Sequence, residues 1–221
     1  MHSSGQLRSL SILPLAVYCP LNLPGPPRTN HQRGSMTLFE YLAIAFSLLY
    51  SVAALRILGG LPAAMSPRRR SALHLGLTLI LLYVVAISFW TFWSLRDVGW
   101  TFVGFLLALA VPGVLFYCAA VLIPENPETV ASWRDHYFSV HRRMYGGLAL
   151  WGVAAALSAT VNLGMGLAHP ARFVHAITIA VGGVGATSSR ARVHAGLIGF
   201  MSLLLVGSVL AQLRPGWLAG P

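Results

Sequence analysis

Six stretches of this chain run for about twenty residues with almost no charge, each bounded by Arg, Pro or Gly, and no other feature limits its folding so tightly. They are Thr37 to Leu58, Ala72 to Trp93, Trp100 to Leu122, Gly146 to Leu167, Phe173 to Ser188 and His194 to Leu213; the fifth is short and rich in Gly. A hydrocarbon core about 30 Å thick takes ~20 apolar residues of helix to cross. Lipid offers no hydrogen-bond partners, so such segments close their backbone bonds internally as helices. The expected fold class is all-α, a polytopic transmembrane helical bundle of about six spans. Composition agrees, with 56% of residues hydrophobic and 9% charged, where an ordinary soluble domain carries roughly 25% charged residues. A soluble globular domain and a disordered chain are both excluded on that ground.

Residues 1–35 stand apart from the membrane domain expected over 36–215. Their one apolar run, Leu10 to Val17, is broken by Pro14 and followed by Pro20, Pro24, Pro26 and Pro27, so it does not span. The run lacks a small-residue cleavage site, and Tyr18 before Cys19 spoils a lipoprotein box. The expectation is a disordered leader or an over-extended start, with the working protein beginning at Met36. Cys19 and Cys118 lie in this stretch and deep in an apolar run, which is no disulfide framework.

The basic residues fix an orientation. All fifteen are Arg, and the net charge is +10. They fall between the apolar runs, which points to a membrane surface with anionic headgroups and away from nucleic acid. Arg56, Arg68, Arg69, Arg70, Arg134, Arg142, Arg143, Arg190 and Arg192 collect on one side of a six-span chain, while Arg96, Arg172 and Arg214 fall on the other. The positive-inside rule then places both termini in the periplasm of a bacterium, with the first, third and fifth loops cytoplasmic. Phe89, Trp90, Phe92, Trp93, Trp100 and Phe102 form the aromatic belt expected around the second loop.

Small residues predict how the spans pack. Gly152, Ala156, Thr160 and Gly164 recur every four residues on the fourth span, and Ala180, Gly183 and Ala186 every three on the fifth. These are close-approach stripes, and they imply a central fifth helix. Pro112 and Gly113 interrupt the third span and free the Ala108 carbonyl, as a hinge or as a fixed packing kink. Glu40 and Arg56 lie near span ends, where both can snorkel. Asn162 and Gln212 fit interhelical hydrogen bonding.

Histidine and arginine supply the candidate site. His74 follows Arg68, Arg69 and Arg70 at the start of the second span, and His194 follows Arg190 and Arg192 at the start of the sixth. Each is preceded by a Gly pair and a basic loop, in the outline of a parallel repeat. The third loop adds His136, His141, Arg142 and Arg143 to the same membrane face. Convergent donors of this kind suit a phosphate or lipid headgroup, with His74, His194, His141, Arg70, Arg190, Arg192, Arg142 and Arg143 as the anion candidates. On this view His74 and His194 share a cytoplasmic vestibule in which anion binding depends on pH near ~6.5. A haem b site would use two His at matching depth on facing helices, here His74 and His194. A di-metal oxygenase would need several His boxes, and His136 with His141 supplies one, so no metal site is expected. The alternative to all three is that the arginines fix topology and meet anionic lipid.

The third loop, residues 123–145, is expected to carry an amphipathic helix from Thr129 onward, with Trp133, Tyr137, Phe138, Val140 and Met144 on one face and Arg134, Asp135, Arg142 and Arg143 on the other. It would lie on the cytoplasmic surface and run into the fourth span, as a partner-docking element or a plain connector.

The run Leu122, Ile123, Pro124, Glu125 through Ser132, Trp133, Arg134 to Tyr137, Phe138, Ser139, Val140, Arg142 and Arg143 carries a resemblance, together with Phe89, Trp90, Phe92, Trp93 and His169, Pro170, Ala171, Arg172. It is similar to small polytopic bacterial inner-membrane proteins that have no assigned activity, over residues 36 to 212. The resemblance implies a multi-pass inner-membrane protein and no particular chemistry. There is no P-loop, Gly-x-Ser-x-Gly or Cys-x-x-Cys motif. The expectation is therefore a non-enzymatic membrane component (a small carrier, a sensor, or a subunit with a membrane protein partner or a second copy) without a cofactor. The alternative is a membrane-embedded redox enzyme with haem b, or a lipid-headgroup enzyme, built on the His and Arg face. Reporter fusions after Arg70, Arg143 and Arg192 are expected to behave as cytoplasmic and fusions after Arg96 and Arg214 as periplasmic; a cytoplasmic signal after Arg214 would break the six-span topology.

Overall fold

The computed structural model describes residues 38–212, and the expectations for the leader and for Arg214 lie outside them. Six α-helices follow one another: α1 (Leu38–Ala64), α2 (Ala72–Thr91), α3 (Phe102–Leu122), α4 (Trp133–Leu163), α5 (Ala171–Thr187) and α6 (Ala191–Gln212). Short 3-10 turns at Phe92–Leu95 and Pro127–Thr129 join them, and no strand occurs among the described residues. All the helices except α5 are long and apolar enough to cross a membrane. The protein is a multi-pass, all-helical membrane protein.

Local chemistry sets the ends. Thr101 caps α3 by accepting the Gly104 N–H at 3.0 Å, and Ser132 caps α4 by accepting the Asp135 N–H at 3.3 Å. Asp135 adds a negative charge to the positive end of the α4 dipole. At the far end of α4 the backbone must turn left-handed, and Gly164 supplies it with φ 62° while the Met165 N–H returns to the Ala159 carbonyl at 3.2 Å. Arg172 then donates to the carbonyls of Ala156 (2.7 Å), Met165 (2.5 Å) and Gly166 (3.3 Å) and to the Thr160 hydroxyl (2.7 Å), fixing the start of α5 on the end of α4. Pro112 is buried inside an uninterrupted α3.

Around the bundle the order is α5, α4, α3, α1, α2, α6, and α2 also touches α3 and α4. The core is built from Phe46, Ile57, Leu77, Leu81, Leu115 and Leu148, with Tyr137 and Tyr145 among them. Where α3 begins and α4 ends, Asn162 donates to the Gly104 carbonyl at 3.0 Å, and a side chain at Gly104 would strike the Asn162 amide.

Two expectations are corrected. The segment before the fourth span is not a separate surface helix; from Trp133 it forms the first turns of α4, a single helix of 31 residues and ~46 Å at 1.5 Å per residue. Trp133, Tyr137, Val140 and Met144 form the stripe expected for a lipid-facing side, but all four are buried in the bundle. Trp133 lies beneath the end of α1, where its indole N–H donates to the Ala63 carbonyl at 3.0 Å. Amphipathic spacing marks a face that is to be covered, and other helices cover it as well as lipid would.

The fifth helix is not central. It lies at the edge against α4, with Phe173, Val174 and Val184 exposed. Its close-approach residues are Gly182 and Gly185, one position off the expected stripe, while Gly183 faces open space. A Cβ on Gly182 would stand 2.7 Å from the Tyr145 carbonyl, and one on Gly185 would strike the Tyr145 ring. The expected stripe on α4 does meet this helix, since Gly152 leaves room for Ile179. With so many small residues on α5, a three-residue spacing does not distinguish adjacent registers. Gly185→Val is expected to destabilise the protein by about 1–3 kcal/mol through overpacking, and Gly183→Ala to leave it unchanged or slightly more stable, as measured by thermal unfolding in detergent.

Candidate functional site

The end of the bundle where α2, α4 and α6 begin gathers an unusual set of polar aromatic side chains. Trp133, Tyr137, His141 and Tyr145 recur every four residues, so one face of α4 presents them all. His74 of α2 and His194 of α6 pack against this face, and neither has exposed surface.

On one side the chemistry centres on a carbonyl. Leu122 is the last residue of α3, so its C=O has no partner within the helix. His74 Nε2 reaches it at 3.0 Å and His136 Nε2 at 3.1 Å. A carbonyl only accepts, so each ring carries its proton on Nε2. The Thr78 hydroxyl donates to the His74 backbone carbonyl at 2.7 Å. Trp133 packs on the His74 ring, with centroids 4.3 Å apart.

On the other side the polar groups form a directed chain. His194 Nε2 donates to the Ser188 carbonyl at 2.9 Å, which leaves Nδ1 of the neutral ring to accept from the Tyr137 hydroxyl at 2.8 Å. Tyr137, having given its proton, accepts from the Tyr145 hydroxyl at 3.2 Å. The bonds therefore run Tyr145 to Tyr137 to His194 to Ser188. His141 lies beside them, its ring centroid 5.4 Å from that of His194. Its Nδ1 donates to the Phe138 carbonyl at 2.6 Å, and its buried Nε2 has no partner.

The sequence candidates are thus divided. His141 and His194 are brought together. His74 lies at the same end but on the Trp133 and His136 side, held by a different carbonyl, so His74 and His194 do not line one open vestibule. Arg70, Arg142, Arg143, Arg190 and Arg192 are exposed and do not converge on either ring. Arg69 joins the loops instead, through the Glu128 carboxylate at 3.1 Å and the carbonyls of Glu128 and Val130 at 2.6 and 3.0 Å. Gly113 faces open space on the membrane side of α3.

For haem ligation a ring must turn an unprotonated nitrogen toward a gap. His74 and His194 do not fit as folded, because each Nε2 is committed to a carbonyl. Among the described residues no group of three or more His, Cys, Asp or Glu is placed to hold a metal ion.

Tyr137 and Tyr145 carry neither charge nor imidazole, so the His and Arg pattern does not pick them out; the four-residue period that places them with His141 is plain in the sequence. No protein-family model, curated protein or solved structure matches this chain. Tyr137→Phe removes the centre of the chain and leaves His194 Nδ1 without a donor, so it is expected to cost about 0.5–2 kcal/mol. Tyr145→Phe, which removes only the first bond, is expected to cost less, with unfolding in mixed micelles as the measure.

Proposed function

We propose that the protein is a non-enzymatic component of a bacterial inner membrane, both termini periplasmic, acting as a sensor or partner subunit in which α6 is the element that moves or docks. The way α6 is attached carries this reading. Of its side chains described, only His194 is buried, while Phe200, Leu203, Val206 and Leu210 are exposed. It is pinned by the His194 chain, by the Tyr83 hydroxyl on Ser208 at 2.5 Å, and by the close fit of Ile198 against Gly76. Apolar surface adds little between helices in lipid, and an interhelical hydrogen bond there averages about 0.6 kcal/mol and reaches ~1.7. Two such bonds add roughly 1–3 kcal/mol to the packing of the partly buried Leu197, Ile198 and Met201 against the core, so α6 is held by fewer buried groups than the other helices. Its removed face would suit a membrane protein partner or a second copy. The arginines flanking its inner end, Arg190 and Arg192, support the inside assignment of that end.

One observation favours the alternative, a membrane-embedded redox or lipid-headgroup enzyme. With Nδ1 on a backbone carbonyl and a bare buried Nε2, His141 has the arrangement of a ligating imidazole. A Soret band in the purified protein would carry that reading.

The mobility of α6 is tested with spin labels at Ser94→Cys and Leu210→Cys in a Cys19→Ser background. Wild type is expected to give one distance population and His194→Leu a second, longer one. A single unchanged population in both would make α6 a fixed wall and overturn the proposal.

A further inference from the structure

A groove of about 510 Å³ opens between α3 and α4 toward the membrane, and it has a polar mouth. Gly147 brings the two helices together, because a Cβ there would stand 2.7 Å from Cys118 Sγ and 3.1 Å from the Tyr117 ring. Beside this contact, Gly113 on α3 and Gly146 on α4 have nothing within 4 Å, so bare backbone forms part of the groove wall. Val114, Tyr117 and Leu150 complete the apolar walls, and Arg143 stands at the end. From Arg143 to Leu150 is seven residues of helix, about 10 Å at 1.5 Å per residue. That is two-thirds of one leaflet of a ~30 Å hydrocarbon core.

Depth and charge agree on what fits. Gly147 is level with Cys118, so Arg143, one turn earlier on the antiparallel helix, is level with Leu122 at the end of α3. Its guanidinium is therefore at the membrane boundary, where headgroup phosphates lie. Arg143 is exposed with no hydrogen-bond or ion-pair partner among the described residues, and Arg142 beside it is exposed as well. A second groove, about 580 Å³ between α1 and α3, also holds an arginine but in a different setting. There Arg56 donates its Nε–H to the Ile123 carbonyl at 3.0 Å, and Glu125 lines the wall and repels a phosphate.

We propose that the α3–α4 groove binds an anionic phospholipid of the leaflet on the arginine-rich side, one acyl chain lying along Gly113 and Gly146 and the phosphate pairing with Arg143. This goes beyond the role assigned to α6 and does not depend on it. A guanidinium presents paired donors to phosphate oxygens, and the chain fills space that would otherwise leave the groove walls without contacts.

The test is lipid retention by the full chain in native mass spectrometry, from micelles holding equal amounts of phosphatidylglycerol and phosphatidylcholine with the same acyl chains. Phosphatidylglycerol is expected to be retained preferentially. Arg143→Gln should lower that preference about fivefold, and Gly146→Leu, which extends into open space, should abolish retention. Gly59→Leu, in the second groove, should leave retention as in wild type, and excess inorganic phosphate should not displace the lipid. Equal retention of the two lipids, an unchanged preference in Arg143→Gln, retention by Gly146→Leu, or displacement by phosphate would each overturn the proposal. Because Arg143 touches no described partner, its variant decides the matter even if Gly146→Leu does not fold.

Discussion

A backbone carbonyl released at a helix end and buried within the bundle has no water to turn to, and one end of this bundle is organised around that constraint. The Leu122 carbonyl accepts from His74 and His136, which brings α2 and α4 to the end of α3. The Ser188 carbonyl, just past α5, accepts from His194 of α6. The Ala63 carbonyl, at the end of α1, accepts from Trp133. In each case a ring N–H on another helix bonds a carbonyl at or just past a helix end and so ties two elements together; the Ala63 carbonyl also accepts from the Ser66 N–H at 3.2 Å. The result is a polar junction made chiefly of neutral groups, which avoids the cost of charge away from water.

This junction explains why α4 is continuous. A helix that began later would leave Trp133, His136 and Tyr137 in a loop, and their bonds to Ala63, Leu122 and His194 would be lost. Starting the helix at Trp133 sets these side chains on it at fixed spacing. The same rigidity makes the directed chain from Tyr145 to Ser188 possible, since its two tyrosines are two turns apart on one rod. By contrast α6 contributes a single buried side chain to the junction, which makes it the least tightly held part of an otherwise interlocked bundle.

Much of the architecture is legible in the sequence because the period and length of apolar runs depend on the solvent. The expected spans 72–93 and 100–122 differ from α2 and α3 by a few residues at most, and Pro112 does not interrupt its helix. What the sequence left open was which face meets which neighbour. The stripe on α4 serves for burial against helices instead of lipid, since both partners are equally apolar. On α5 the meeting point is Gly182 and Gly185 because the Tyr145 ring needs that space, and nothing in α5 alone reveals where Tyr145 lies. For the candidate site, the His and Arg clusters fall at the end of the bundle where the ring hydrogen bonds form. Pairing required the hydrogen bonds: Arg70, Arg142, Arg143, Arg190 and Arg192 stay exposed while His74, His136 and His194 bind carbonyls, a division that charge counting does not anticipate.

The neighbours α4 and α5 differ greatly in length, at 31 and 17 residues. At 1.5 Å per residue α5 spans ~25 Å, about 5 Å short of a typical hydrocarbon core, and it stands at the edge of the bundle where lipid meets it directly. α4, much longer than the core, cannot sink to compensate because the bundle encloses its first turns. A crossing α5 would therefore draw the bilayer thinner along one side of the protein, at a cost of a fraction of a kcal/mol per Å of mismatch. A lopsided collar of this kind favours thinner membrane and gives two such proteins a reason to meet along their short sides, where sharing one dimple costs less than making two.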